Sequence, residues 1–236
     1  MKNLLKAAAI GIGLGLLLSI VQSGLRMNRT AFLYGYWITI AALLVGAILV
    51  SIFYNRSYRK KMQQITALLE EGKPQEYLDG VKGLLLRAKG KNLRNILQIN
   101  LSAGYFEVGQ YDAAIEVLEG LPEERLAGNA AKLVRRLNLC MSYFYAAQDE
   151  KAMALYEESQ PLFGQFRNNT SCGGNIAALD VLAALRQGRL DQAEQLLETA
   201  KQSWDHPRLR RTFQRIGGFL EEARAERQEG GYADLG

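Results

Sequence analysis

The chain has 236 residues, of which 48% are hydrophobic and 22% charged, with a net charge of +5 and two cysteines. Two cysteines exclude a disulfide-built scaffold. The distribution of charge argues against a nucleic-acid-binding protein. Residues 1–54 hold four cations and no acid, residues 55–94 ten cations and four acids, and residues 95–236 fifteen cations and twenty acids. The basic excess thus flanks the apolar N-terminal part, where it fixes topology and meets anionic lipid. The long C-terminal part is acidic and repels a phosphate backbone.

Two uncharged stretches come first, 19 positions between Lys6 and Arg26 and 26 between Arg29 and Arg56. About 20 apolar residues cross a bilayer core as a helix, so the spacing predicts a membrane hairpin over residues 1–55, with spans at 4–21 and 32–53. A signal peptide is the competing reading of the first stretch, since a basic start, an apolar run and Val21-Gln22-Ser23 would serve for cleavage. Gly11 and Gly15 share one helix face at the spacing that lets membrane helices pack closely, and Ala42 and Gly46 repeat it in the second span. The bland alternative is a flexible, small-residue span. Arg56, Arg59, Lys60 and Lys61 follow the second span, and Lys2 and Lys6 precede the first; the intervening loop holds Arg26 and Arg29. This asymmetry predicts a protein of the cell membrane with both termini, and everything after residue 55, in the cytoplasm.

From Tyr58 onward the apolar pattern has helical period. It comes as helix pairs broken at Gly72, Gly109, Ala147 and Gly188, spaced 37, 38 and 41 residues apart. A supersecondary unit repeated near this length predicts an all-α fold, an α-solenoid of about four helix pairs over residues 56–227. The longer spacings predict loops at 123–129 and 164–174. Pro207 opens a final helix with an apolar stripe at Leu209, Phe213, Ile216, Leu220 and Ala223 that would cap the array. Residues 228–236 read as a frayed tail.

The stretch Leu101 to Leu118 carries Leu101, Tyr105, Gly109, Tyr111-Asp112 and Ala114; the following unit has Leu139, Tyr143, Ala147, Ala152 and Tyr156. The next keeps Gly188, Leu190-Asp191, Ala193, Leu197 and Ala200 but has Asp180 where a leucine is expected and Ala184 where a tyrosine is. The first keeps Leu68 and Gly72, with Tyr77 in the place of the small residue. This pattern resembles the tetratricopeptide repeat family over about residues 58–204. The resemblance implies a groove lined by the first helix of each pair that receives a protein or peptide partner. Its implied groove positions include Ile99 and Phe106 in the second pair, Leu137, Met141, Phe144 and Tyr145 in the third, and Leu182 and Arg186 in the fourth. They are mostly apolar. A partner helix could fill that groove, or the same residues could be core beneath the C-terminal helix.

The sequence carries no recognisable catalytic constellation, metal site or cofactor motif. His206 is the single histidine and sits in Asp205-His206-Pro207, a helix start. Cys140 lies in an apolar helical stretch and Cys172 in a loop, so neither has the neighbours a nucleophile needs. Adjacent glutamates such as Glu70-Glu71 and Glu157-Glu158 point apart on a helix and read as solvated faces, as does Glu119. The expectation is therefore a non-enzymatic, membrane-anchored interaction scaffold, with lipid and a protein or peptide as partners. The alternative is a structural subunit of a membrane complex, or a homo-oligomer, docking through the hairpin.

Overall fold

The computed structural model describes residues 29–233, all in helices, turns and short connections. The predicted first span, with Gly11 and Gly15, lies outside the described residues. The chain divides into two compact units that meet between Ser57 and Tyr58.

The first described element, α1 (Arg29–Glu70), runs through both units as one 42-residue helix. The predicted span and the first repeat helix are therefore continuous. Asn55-Arg56-Ser57 contains no proline or glycine, so nothing in the backbone stops the helix there. An apolar window in Tyr36–Glu70 has mean hydropathy 2.3, and none of it is buried by protein. It is the one described helix long and apolar enough to cross a membrane. Trp37, Leu43, Ile48 and Phe53 are exposed, unlike the side chains of a soluble core helix. Ala42 is exposed too, and a Cβ added at Gly46 would meet nothing within 4 Å.

The second unit is built from four helix pairs. Residues 58–70 of α1 pair with α2 (Pro74–Arg87), α3 (Lys91–Glu107) with α4 (Tyr111–Glu119), α5 (Gly128–Tyr145) with α6 (Asp149–Phe166), and α7 (Gly173–Arg186) with α8 (Leu190–Ser203); α9 (Pro207–Ala233) follows. The four predicted turns share one geometry. Gly72, Gly109, Ala147 and Gly188 all have positive φ, from +55° at Ala147 to +78° at Gly109. In each, the N–H of the next residue donates to the carbonyl five positions back: Lys73 to Leu68 at 2.8 Å, Gln110 to Tyr105 at 2.9 Å, Gln148 to Tyr143 at 2.9 Å and Arg189 to Ala184 at 3.0 Å. This left-handed cap closes the carbonyls that the first helix leaves open. The same next residue accepts the first bond of the second helix, from Tyr77, Ala114, Ala152 and Ala193 respectively. All four of those residues are buried. The turn thus fixes which residue is pressed between helices.

The longer spacings are filled partly by the connections between pairs and partly by helix length. A 3-10 turn, Glu123–Arg125, joins α4 to α5. Between α6 and α7 only residues 167–172 are non-helical, because α6 continues through Gly164 to Phe166. First helices lie beside one another, α3 against α5 and α5 against α7, and α9 packs on α7 and α8. Phe213, Ile216 and Leu220 of the predicted stripe are buried. The helix continues to Ala233, past residue 228 where the sequence predicts fraying.

Candidate interaction surface

The implied groove residues fall into three sets. Ile99, Leu137, Met141, Phe144 and Leu182 are buried, and Phe144 is only 1% exposed. Phe106 and Tyr145 are half-buried and touch, with ring centroids 4.9 Å apart and edge-to-face. Arg186 stands at the surface, its Nε 3.1 Å from Asp149 Oδ1. That pair lies close without hydrogen-bond alignment, so Asp149 Oδ1 counts as a buried acceptor without a hydrogen bond.

What covers this face is α9. Phe219 stacks edge-on against Tyr145 at 5.4 Å, and Tyr111 completes an aromatic cluster with Phe106 and Tyr145 at 5.3 and 5.4 Å. Arg208 Nε donates to Glu107 Oε1 at 2.8 Å, and Arg211 Nη2 donates to the Leu69 carbonyl at 2.7 Å. Leu209 sits over Gly174, where an added Cβ would come within 2.3 Å of it. The α9 helix therefore reaches all the first helices from α1 to α7. Beneath α9 a cavity of about 30 Å³ remains among Phe106, Glu107, Asn138, Met141, Asn175 and Arg208. That is room for a water molecule, not for a peptide. Sequence reasoning named α9 as a cap but missed Tyr111 and Phe219, because nothing local ties Phe219 to Tyr145.

The electrostatics are those of a packed surface. The Tyr145 hydroxyl is buried without a hydrogen-bond partner, and burial pushes it up to about 12. Asp180, out of pattern in the fourth pair, accepts from the Tyr156 hydroxyl at 2.6 Å and pairs with Arg167. Glu119 accepts from the Tyr143 hydroxyl at 2.6 Å and is not simply a solvated end. Arg136 ties the connection before α5 to the array, through Glu123 at 2.5 Å, Glu158 at 2.8 Å and Ser159 at 3.2 Å. Burial alone would raise Glu123, but the hydrogen bond and charge of Arg136 hold it below the usual carboxylate value.

Nucleophile chemistry is poorly served by these surroundings. Burial pushes the Cys140 thiol up to about 12, and that thiol donates to the Ala152 carbonyl at 3.4 Å. Burial also raises half-buried Cys172. A thiol so shifted holds little thiolate near neutrality. His206 is exposed, 3.9 Å from Glu70. Among the described residues no three histidine, cysteine or acidic side chains are grouped to hold a metal. Comparison with known proteins finds no family model, no curated relative and no solved structure that matches this chain.

Proposed function

We propose that the chain is a non-enzymatic, membrane-anchored scaffold of tetratricopeptide type that holds a protein or peptide partner at the cytoplasmic face of the cell membrane. Supporting this is the coexistence in one chain of an uncovered apolar helix segment and four helix pairs closed by the same left-handed turn. The basic residues after the span favour a cytoplasmic repeat unit. The first-helix face is occupied by the chain's own α9, so a partner helix there would replace the contacts of Phe219 and Arg208. A photo-crosslinking amino acid tests this. Placed at Tyr111, on the rim of the α9-covered face, it gives a discrete adduct in membranes, whereas at exposed Glu150 it gives none. Equal adducts from both positions, or none from either, defeat the scaffold reading.

The second reading is a structural subunit that docks through its membrane helices. It is favoured by Gly46, whose missing Cβ faces open space. Under that reading Ala42→Leu with Gly46→Leu, in the full chain, abolishes co-purification of a membrane partner. Under the first reading it leaves the Tyr111 adduct intact.

A further inference from the structure

In the unit that begins at Tyr58, two large apolar side chains among the described residues are exposed, Leu86 and Ile96. Leu86 is 85% exposed, more than any other large apolar side chain described. A single exposed leucine means little by itself. Its neighbours give it meaning. Arg87, Lys89, Lys91 and Arg94 are all exposed around it, and from Gly80 to Phe106 there is no acid. In the turn that carries them Gly90 has φ +94°, and Arg94 Nη1 donates to the Leu85 carbonyl at 3.4 Å.

The position of that turn follows from packing inside the unit. Leu84, Ala88 and Leu97, which bracket it, pack against Tyr58 and Met62 of α1. Tyr58 is five residues after Phe53, the end of the predicted span. Five residues reach at most about 18 Å in any conformation. The turn is therefore tethered close to the point where the chain leaves its apolar segment.

We propose that the α2–α3 turn docks on an anionic phospholipid surface, with Leu86 entering the interfacial layer and Arg87, Lys89, Lys91 and Arg94 facing headgroup phosphates. This rests on the anchoring role of α1 and adds a second contact that orients the repeat unit on the membrane. Charge complementarity selects the occupant. Exposed cations on a stretch of sequence without an acid meet anionic lipid with roughly a fivefold gain per cation near the surface, and an exposed leucine among them gains by entering the interface.

The test uses the full chain. Leu86→Cys in a Cys172→Ser background takes a polarity-sensitive fluorophore, the remaining Cys140 being buried. The protein is reconstituted in nanodiscs of phosphatidylcholine, with or without one-third phosphatidylglycerol. Expected are a blue-shifted emission and quenching by a lipid-borne quencher in the anionic discs. Both are lost in neutral discs, in high salt and in Lys89→Glu with Lys91→Glu, while the same label at exposed Gln195 stays water-like. The lipid and salt arms need no charge variant, so poor folding of that variant leaves the comparison standing. Protein that does not elute with the discs overturns the anchor and the docking turn together. Protein in the discs with a water-like label at position 86 overturns the docking turn alone. Equal lipid contact in neutral and anionic discs overturns the role assigned to the cations.

Discussion

The first helix pair and the three that follow it use the same turn but fill the junction behind it differently. In pairs two to four the residue pressed between helices is Ala114, Ala152 or Ala193, each fully buried. In pair one it is Tyr77, equally buried, whose hydroxyl donates to the Asn100 carbonyl at 3.0 Å. The volume is recovered from the neighbouring helix. Gly104 has no Cβ, and one added there would lie 3.1 Å from the Tyr77 ring and 3.0 Å from Leu78. Position and burial are thus preserved while side-chain volume moves across the interface. Close packing demands this, since neither a void nor an overlap is tolerated cheaply.

The largest expected effect tests that exchange. Tyr77→Ala removes a buried aromatic ring and should cost about 3–5 kcal/mol, read from urea or thermal melts of the full chain in detergent. Gly104→Ala alone forces its new Cβ against Tyr77 and should cost about 1–3 kcal/mol. In the Tyr77→Ala background that methyl enters the vacated space, so the double variant should be less destabilised than the sum. Strict additivity would show that the two residues do not share volume.

The alanine junctions should be sensitive to the opposite change in volume. Ala114→Leu and Ala152→Leu add carbon where there is no space and should each cost about 1–3 kcal/mol, while Gln195→Leu, at an exposed site of α8, should change the melt little. Equal shifts for all three would break the register that equates Tyr77 with these alanines.

Much of this register was legible in the sequence. Gly72, Gly109, Ala147 and Gly188 mark it by spacing, and each has the positive φ that a helix-ending turn requires. Local chemistry decides such turns, so local reading finds them. The compensation at Tyr77 was not legible, because Gly104 lies 27 residues away and reads as one more small residue. Nor was the fate of the implied groove. It depends on Arg208 meeting Glu107, 101 positions apart in the chain, and on Phe219 meeting Tyr145. Asp180 looked like a lost leucine until Tyr156 and Arg167 supplied its partners.

A smaller effect separates the connection before pair three from the pairs themselves. Glu123 is held below its ordinary value of 4.5, so the folded state binds its proton less well than the unfolded chain does. The stability it contributes is therefore present at neutral pH, and is lost as pH falls from the ordinary carboxylate value through the lower folded one. Glu123→Gln should cost about 1 kcal/mol at neutral pH and flatten the acid limb of the stability profile below the ordinary carboxylate value. An unchanged acid limb would mean that the Arg136 contacts do not stabilise that connection.

The smallest effect concerns the turns and should change sign between two of them. Ala147 is the one non-glycine with positive φ among the described residues, and it occupies the place held by Gly72, Gly109 and Gly188 in the other pairs. A left-handed backbone costs a residue with a Cβ about 1–2 kcal/mol. Replacing alanine by glycine also frees the unfolded chain, which offsets about 0.4–1 kcal/mol of the gain. Ala147→Gly should therefore stabilise by about 0.5–1 kcal/mol, and Gly109→Ala should destabilise by a similar amount. No side-chain contact intervenes at Gly109, where an added Cβ would meet nothing within 4 Å. Melts of the two variants side by side check the sign. If both destabilise, the Ala147 methyl makes a contact that outweighs its backbone strain, and the third turn is not equivalent to the second.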